Sequence, residues 1–453
     1  MNWLKKNGKY VRLVCLVAIS CYAYYNIAYT IDQSDFYLLL INYSLAFIGF
    51  ASLYTKFKSN IKLLLFLSLL FRLTFFFSIP SLSQDVYRFI WDGHLIINGV
   101  NPYLSSPAEL MQKNAAPFGI ANELFPKLTD LSATNHSNYP PVSQLFYALS
   151  ALVSPANLFG SILFLKTVLI FSDLLIYFIA KPILGFFKLP VYSVFIYLLN
   201  PLLIIEGIGN LHFESLMVLF VMAGIYFWLL NKYSFTGLMI GLGIATKLLP
   251  LLLLPFFAKG TKKYDFKAFF SKPYLVLIII ALSVSFLSFL PFLSDQTAVD
   301  YINTIGLWFN NFEFNASIYY IFRWLGYQIS GWNMIAFFGK GLGVLSLLLV
   351  SLVAFRSTTS RNMQIYAMMM ALLIYLFLAT TIHPWYLILP LSLSIFIKSN
   401  NLILIWSFTI VFSYYAYHQA EFKENTYWLL AEYLPMIIYL IYDTMIKPVK
   451  IKV

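Results

Sequence analysis

The sequence predicts an all-α, polytopic membrane bundle of about 13 or 14 transmembrane helices. Composition is the first reason. Of 453 residues, 60% are hydrophobic and only 11% are charged, against about 25% charged in ordinary soluble domains. Such a chain lacks the polar surface to face water. The second reason is that apolar runs near the roughly 20 residues that cross about 30 Å of hydrocarbon recur from end to end. The third is that Lys and Arg fall in short clusters between those runs: "KKNGKYVR", "KFKSNIK", "KGTKKYDFK", "RSTTSR" and "KPVKIK". That is the pattern of cytoplasmic loops. The same distribution excludes a nucleic-acid reading of the net charge of +12, since there is no long basic tail and no soluble nucleic-acid module. A single membrane domain over residues 1–453, with no soluble domain, is expected.

The elements follow in order. The first span, about 11–30, reads as a retained helix because no small-residue cleavage site follows it. It holds Cys15 and Cys21, whose spacing fits neither a metal motif nor a disulfide. A second span, about 36–55, ends at the basic "KFKSNIK", and a third, about 61–80, emerges on the outer face. Residues 81–157 then form a long non-cytoplasmic loop, of the kind that is uncommon unless functional. Within it "SQDVYRFIWDGHLIING" repeats Val86, Phe89 and Ile90, then Leu95, Ile96 and Ile97, at helical spacing. This predicts an amphipathic helix along the membrane surface, ended by "NGVNPY". "YPPVSQLFYALSALV" predicts a second interfacial helix.

Spans at about 158–180 and 190–208 follow, then the outer turn "GNLHFES" and a span returning to "NKY". "FTGLMIGLGIATKLLPLLLLPFFAKG" is read as two short helices with "ATKLLP" at their outer apex. A single crossing would place basic "KGTKKYDFK" outside, and broken helices are tolerated where they line a cavity. Spans at about 273–293, 332–355 and 363–381 come next, followed by the outer turn "THPWYLILP" and a short return to Lys398. Two last spans flank "HQAEFKEN" and leave "KPVKIK" inside. No internal repeat is visible.

Charges inside a membrane protein are costly and tend to be functional. This layout gathers them on the outer face: Asp85, Arg88, Asp92 and His94; Glu206, His212 and Glu214; Lys247; Glu313 and Arg323; and His383. Segments distant in sequence thus converge at one depth and can build one outward-opening cavity. Asp85 opens a helix at the water–lipid boundary, which suits a general base for an acceptor hydroxyl. It, or Ser83, equally suits a helix N-cap, and the residues alone leave both readings open. Arg88 can pair with Asp85 or Asp92 at i, i+3 or i+4 or act as a phosphate fork, with pairing the blander account. Lys247, inside an apolar run, needs an anion, a wet cavity, or room to snorkel. His212 and Glu214 can share a turn, and His383 before Pro384 can be a plain loop residue. Asp173 is a deep acid with Lys166 as one candidate partner. No pair has metal-ligand spacing, so no cofactor is expected; a divalent metal is compatible with the chemistry but is not indicated by ligand spacing.

Together "SQDVYRFIWDGHLIINGVNPY", "YPPVSQLFYALSAL", "NPLLIIEGIGNLHFESL", "GLGIATKLLPLLLLP", "FNASIYY" and "HPWYLILP" resemble, in order, the GT-C superfamily of polytopic glycosyltransferases. The branch they look most like is the bacterial polyprenyl-phosphate-mannose-type mannosyltransferases, related to eukaryotic dolichyl-phosphate-mannose enzymes. The resemblance implies an inverting transfer of a hexose, with mannose favoured, from a polyprenyl-phosphate sugar to a glycan or lipid acceptor. It places that reaction on the periplasmic side of a bacterial inner membrane. It maps the family's outer-loop acid onto Asp85 and a donor-phosphate role onto Lys247, with Arg88 beside it. His212 and Glu214 then line the cavity, with Asp92, His94 and His383. Many superfamily members carry that acid straight after their first helix, whereas here two spans precede the third. The partners implied are the lipid-linked donor, the acceptor and membrane lipids, with no nucleic acid. A transporter or flippase of a lipid-linked sugar is the alternative; it predicts charges through the membrane depth and repeated halves. A ligase or polymerase of lipid-linked sugars would carry its main outer loop late in the chain. A non-enzymatic scaffold would leave the outer-face charges unexplained.

Overall fold

A computed structural model describes residues 2–260, 264–357, 359–398, 401–418 and 422–443, without the side chains of 2–7 and 308–309. The expected inner tail "KPVKIK" and parts of "KGTKKYDFK", "RSTTSR" and "HQAEFKEN" lie outside the described residues. Among the described residues every regular element is helical, apart from one isolated parallel bridge between Phe314 and Thr381.

The chain opens with α1 (Asn2–Tyr29), α2 (Phe36–Phe57) and α3 (Ile61–Leu73). The long loop then carries α4 (Asp85–Ile97), α5 (Pro107–Gln112), α6 (Ala121–Leu124), α7 (Asp130–Thr134) and α8 (Pro141–Val153). α9 (Leu158–Phe186) leads to a bent pair made of α10 (Phe195–Leu198), with a short 3-10 turn before it, and a π-helical segment, Leu203–Gly209. α11 (Glu214–Leu229) and α12 (Tyr233–Thr246) follow, then a 3-10 stretch, Leu249–Phe257. Beyond it lie α13 (Lys272–Ser288), α14 (Thr297–Asn310), α15 (Ile318–Ser330), α16 (Ile335–Arg356) and α17 (Arg361–Leu378). The remainder comprises α18 (Ile388–Ser394), α19 (Asn401–Thr409) with a 3-10 continuation to Tyr417, and α20 (Thr426–Ile441).

Each of the 13 or 14 expected helices has a helical counterpart, and many of these are short. Among the described residues six helices are long and apolar enough to cross, or seven if the bent pair is one span. Proline accounts for several of the short ones. Pro201, Pro250, Pro255 and Pro384 remove backbone donors and break apolar runs into pieces shorter than a bilayer needs. Side-chain caps set other boundaries: Asn60 accepts the Leu63 N–H at 3.1 Å to start α3, and Asn157 accepts that of Phe159 at 2.9 Å to start α9.

Burial separates the helices into an inner and an outer set. Most of α11 is buried, including Met217, Val221, Ile225 and Trp228, whereas Ile279, Leu282, Phe286 and Leu287 of α13 are exposed. An exposed apolar ridge of this kind is stable in hydrocarbon and not in water. The protein is a multi-pass membrane protein. Glycines of α12 let it meet α13 closely. A Cβ on Gly237 would lie 2.5 Å from the Leu277 carbonyl oxygen, and one on Gly241 2.7 Å from that of Ala281. The deep polar groups are paired. Arg72 Nε bonds Asp173 Oδ2 at 2.8 Å, and Arg72 Nη1 also donates to the carbonyls of Ser68 and Leu198, each at 2.7 Å. Lys166 is therefore not the partner of Asp173. Its ammonium instead donates to the carbonyls of Phe75 (2.5 Å) and Ser78 (2.6 Å), pinning the segment that runs from α3 towards α4.

α4 departs from a simple surface helix. Val86, Phe89, Ile90 and Leu95 are buried, as the spacing predicts, but Arg88, Asp92 and His94 are buried too. The polar side is covered by α7, α8 and the segment between them, which supply hydrogen-bond partners to Arg88 and Asp92.

Candidate active site

Asp85 is the first residue of α4. The capping position is Gln84, whose side chain makes no cap bond, and the Asp85 amide donates to Ser83 Oγ at 3.3 Å. The Asp85 carboxylate is therefore not engaged as the N-cap and stays 35% exposed. The Tyr139 phenol approaches it as a donor. Tyr139 precedes the Pro140–Pro141 start of α8, and its ring meets Phe89 of α4 edge-on at 4.9 Å.

His212 comes to Asp85 through an unusual stretch of backbone. The π-helical turn ends at Gly209, and Leu211 adopts φ +60°, a left-handed conformation that costs a branched side chain energy. Such irregularities cluster at functional sites. The reversal turns His212 fully inward, with Nδ1 3.9 Å from Asp85 Oδ2 and Nε2 3.7 Å from Glu206 Oε2. Trp385 stacks on His212 at 3.6 Å and on His383 at 4.4 Å. The turn carrying His383 and Trp385 is tied to the segment between α14 and α15, where Phe314 N–H donates to the Thr380 carbonyl and Ile382 N–H to the Phe314 carbonyl.

Lys247 arrives at the same place because α12 stops one residue earlier. Its backbone is extended (φ −151°, ψ 143°), and Pro250 prevents the helix from resuming as a regular α-helix. The expected break at "ATKLLP" is thus present, and the ammonium pairs with Glu214 at the start of α11. Burial lifts the Asp85 carboxyl above the ordinary carboxylate range, while Lys247, the Tyr139 hydrogen bond and Arg88 pull against that rise. Burial, with Lys247 adding to it, pushes the His383 imidazole down to about 3, so it is neutral at any physiological pH.

The structure thus brings together Asp85, His212, Glu214, Lys247 and His383. It does not bring Arg88, Asp92 and His94 to the same point. Arg88 Nε bonds Asp92 Oδ1 at 2.7 Å, and its Nη1 donates to the carbonyls of Ser132 and Asn135. Asp92 Oδ2 accepts from Ser137 (2.5 Å) and Gln144 (2.9 Å). This buried clamp is the pairing alternative for Arg88, and it fastens α4 to the loop that carries Tyr139. His94 stacks on Phe118 at 4.9 Å, about 13 Å along the helix from Asp85 at 1.5 Å per residue. Glu313, between α14 and α15, and Arg323 of α15 bond each other at 2.5 Å. Among the described residues no group of three or more His, Cys, Asp or Glu stands where it can hold a metal ion.

Sequence reasoning missed Tyr139 and Trp385, and it grouped Glu206 with the converging charges without giving it a role. Trp385 had a visible signal, an aromatic two residues after His383. Tyr139 had only its place before a double proline.

Residues 35–261 match the model of the MptA_B family, described as alpha-(1->6)-mannopyranosyltransferase, N-terminal domain. The chain belongs to this mannosyltransferase family. No curated protein matches it. The matched region contains Asp85, Glu206, His212, Glu214 and Lys247, while His383 and Trp385 lie beyond its end. The chain is a membrane glycosyltransferase of the mannosyl-transferring kind, and it uses a sugar donor and a glycan or lipid acceptor.

Proposed function

We propose that this mannosyltransferase moves mannose from a polyprenyl-phosphate donor to a hydroxyl of a lipid or glycan acceptor, with inversion, on the non-cytoplasmic face of a bacterial inner membrane. The observation that carries this reading is the convergence of Asp85, His212, Glu214 and Lys247 from separate segments of a membrane-embedded fold. Asp85, partly exposed and held by its neighbours, takes the proton from the acceptor hydroxyl. The acceptor oxygen attacks the anomeric carbon from the side opposite the phosphate, and the leaving phosphate keeps the bonding electrons. Lys247 stabilises the charge that grows on that phosphate, and Glu214 aims the ammonium. The Arg88–Asp92 clamp fixes α4 so that Asp85 does not drift. The side assignment rests on basic Lys56, Lys58 and Lys62 at the α2–α3 turn, which mark the cytoplasmic end of α3, with Asp85 following its other end.

The donor is tested in proteoliposomes with purified protein. Polyprenyl-phosphate mannose carrying a labelled sugar should label acceptor lipid or glycan, while a nucleotide-linked mannose without carrier lipid should not. Equal labelling from the nucleotide sugar alone would overturn the donor assignment.

A further inference from the structure

We infer that Glu206 and His212 form a positioning pair that sets the basicity of Asp85, an inference that rests on Asp85 being the base. His212 is fully buried, yet neither ring nitrogen has a hydrogen-bond partner; each faces a carboxyl group, Asp85 at 3.9 Å and Glu206 at 3.7 Å. Catalytic hydrogen bonds are often this long before substrate binds. Glu206 is held from behind: Tyr414 donates to Oε1 at 2.6 Å and Asn210 to Oε2 at 3.0 Å. Trp385 fixes the plane of the imidazole from its face.

A neutral imidazole has one N–H and one lone pair. With the proton on Nε2, directed at Glu206, the Nδ1 lone pair is presented to Asp85. It cannot bond an ionised carboxylate, but it accepts a hydrogen bond from a protonated one. The pair therefore favours Asp85 in the state it reaches after taking the acceptor's proton. In the transfer the acceptor O–H bond breaks, its oxygen bonds the anomeric carbon, and the carbon–phosphate oxygen bond breaks with its electrons on phosphate. The proton rests on Asp85, shared with His212 Nδ1, and any imidazolium character is stabilised by Glu206 as in a triad.

The need for such a pair comes from the other charges. Burial raises the proton affinity of Asp85, while Lys247, the Tyr139 phenol and Arg88 oppose that rise. Glu214 neutralises Lys247 only in part once phosphate arrives. His383 is neutral and stacks on the same Trp385 as His212, and burial, Lys247 and His383 all hold the His212 imidazole towards its neutral form. The Glu206–His212 pair acts in the same direction as burial and against the pull of Lys247.

Glu206→Gln and His212→Gln test this by the pH dependence of kcat/KM for polyprenyl-phosphate mannose, measured per correctly inserted enzyme. Glu206→Gln should lower kcat roughly 10- to 100-fold, less than removal of a whole general base. The donor KM should stay within about twofold, and the acid limb of the profile should move to lower pH; Glu206→Asp should restore part of the rate. A merely structural role would scale the active fraction without moving the limb. If Glu206→Gln fails to insert, His212→Gln supplies the same two readouts. A wild-type limb and rate in both variants, with Asp85→Asn inactive, overturns the pair alone. Near-normal turnover in Asp85→Asn overturns the base and the pair together.

Discussion

A Cβ placed on Gly93 would lie 2.2 Å from the carbonyl oxygen of Tyr147, so α4 and α8 touch backbone to backbone at this point. α4 carries Asp85 at its start and α8 follows Tyr139, so this contact sets the distance between two sides of the site. Gly93→Ala must push the helices apart. Overpacking of this kind costs about 1–3 kcal/mol, and thermal unfolding in detergent should register it. The transfer rate should fall by more than the loss of folded protein, because the Asp85 helix is displaced.

The Arg72–Asp173 pair is almost fully buried on both sides. Asp173→Asn or Arg72→Met alone leaves a group with unmet partners, at a cost of about 3–5 kcal/mol. The double variant Arg72→Met with Asp173→Leu should be more stable than the worse single variant. Unfolding midpoints of the set in one detergent check the coupling, and simple additivity would contradict it.

Lys166 holds the carbonyls of Phe75 and Ser78 with its ammonium. Lys166→Met frees those acceptors and loosens the run from α3 into Asp85. Hydrogen bonds to a charged group contribute about 1.5–3 kcal/mol each, so the variant should unfold earlier. Limited proteolysis should also cut the 74–84 segment faster than in the parent.

The acid side of the pH–rate profile has a defined sign. Burial raises the Asp85 carboxyl above its ordinary value, so activity falls as pH drops through that raised value, where the base becomes protonated. His383 is held down to about 3 and adds no limb near the usual imidazole value of about 6.5. His383→Gln should leave the acid limb in place. For stability the His383 contribution has the opposite origin but the same direction. The unfolded imidazole binds a proton that the folded one refuses, so stability declines as pH falls from about 6.5 towards the folded value.

The helical fold and the gathering of charged residues from distant segments were legible because they rest on composition and local pattern. Asp85, His212, Glu214 and Lys247 each stood out as charge or imidazole in apolar surroundings, and they do converge. What was not legible depended on three-dimensional partners. Arg88 and Asp92 share a helix with Asp85, but the carbonyls of Ser132 and Asn135 and the side chain of Gln144, which decide their orientation, lie far along the chain. Asp173 looked within its own helix for Lys166, whereas Arg72 reaches it from α3. Helix lengths failed for a related reason: an apolar run broken by proline keeps the hydropathy of a span but not its length.

The central claim is that Asp85 removes the acceptor proton during mannosyl transfer. Single-turnover transfer from labelled polyprenyl-phosphate mannose by Asp85→Asn, in protein shown to insert and to bind donor normally, tests it most directly. The prediction is unchanged donor binding with transfer reduced by at least about 100-fold, as expected for loss of a general base. Transfer at near the parent rate would contradict it.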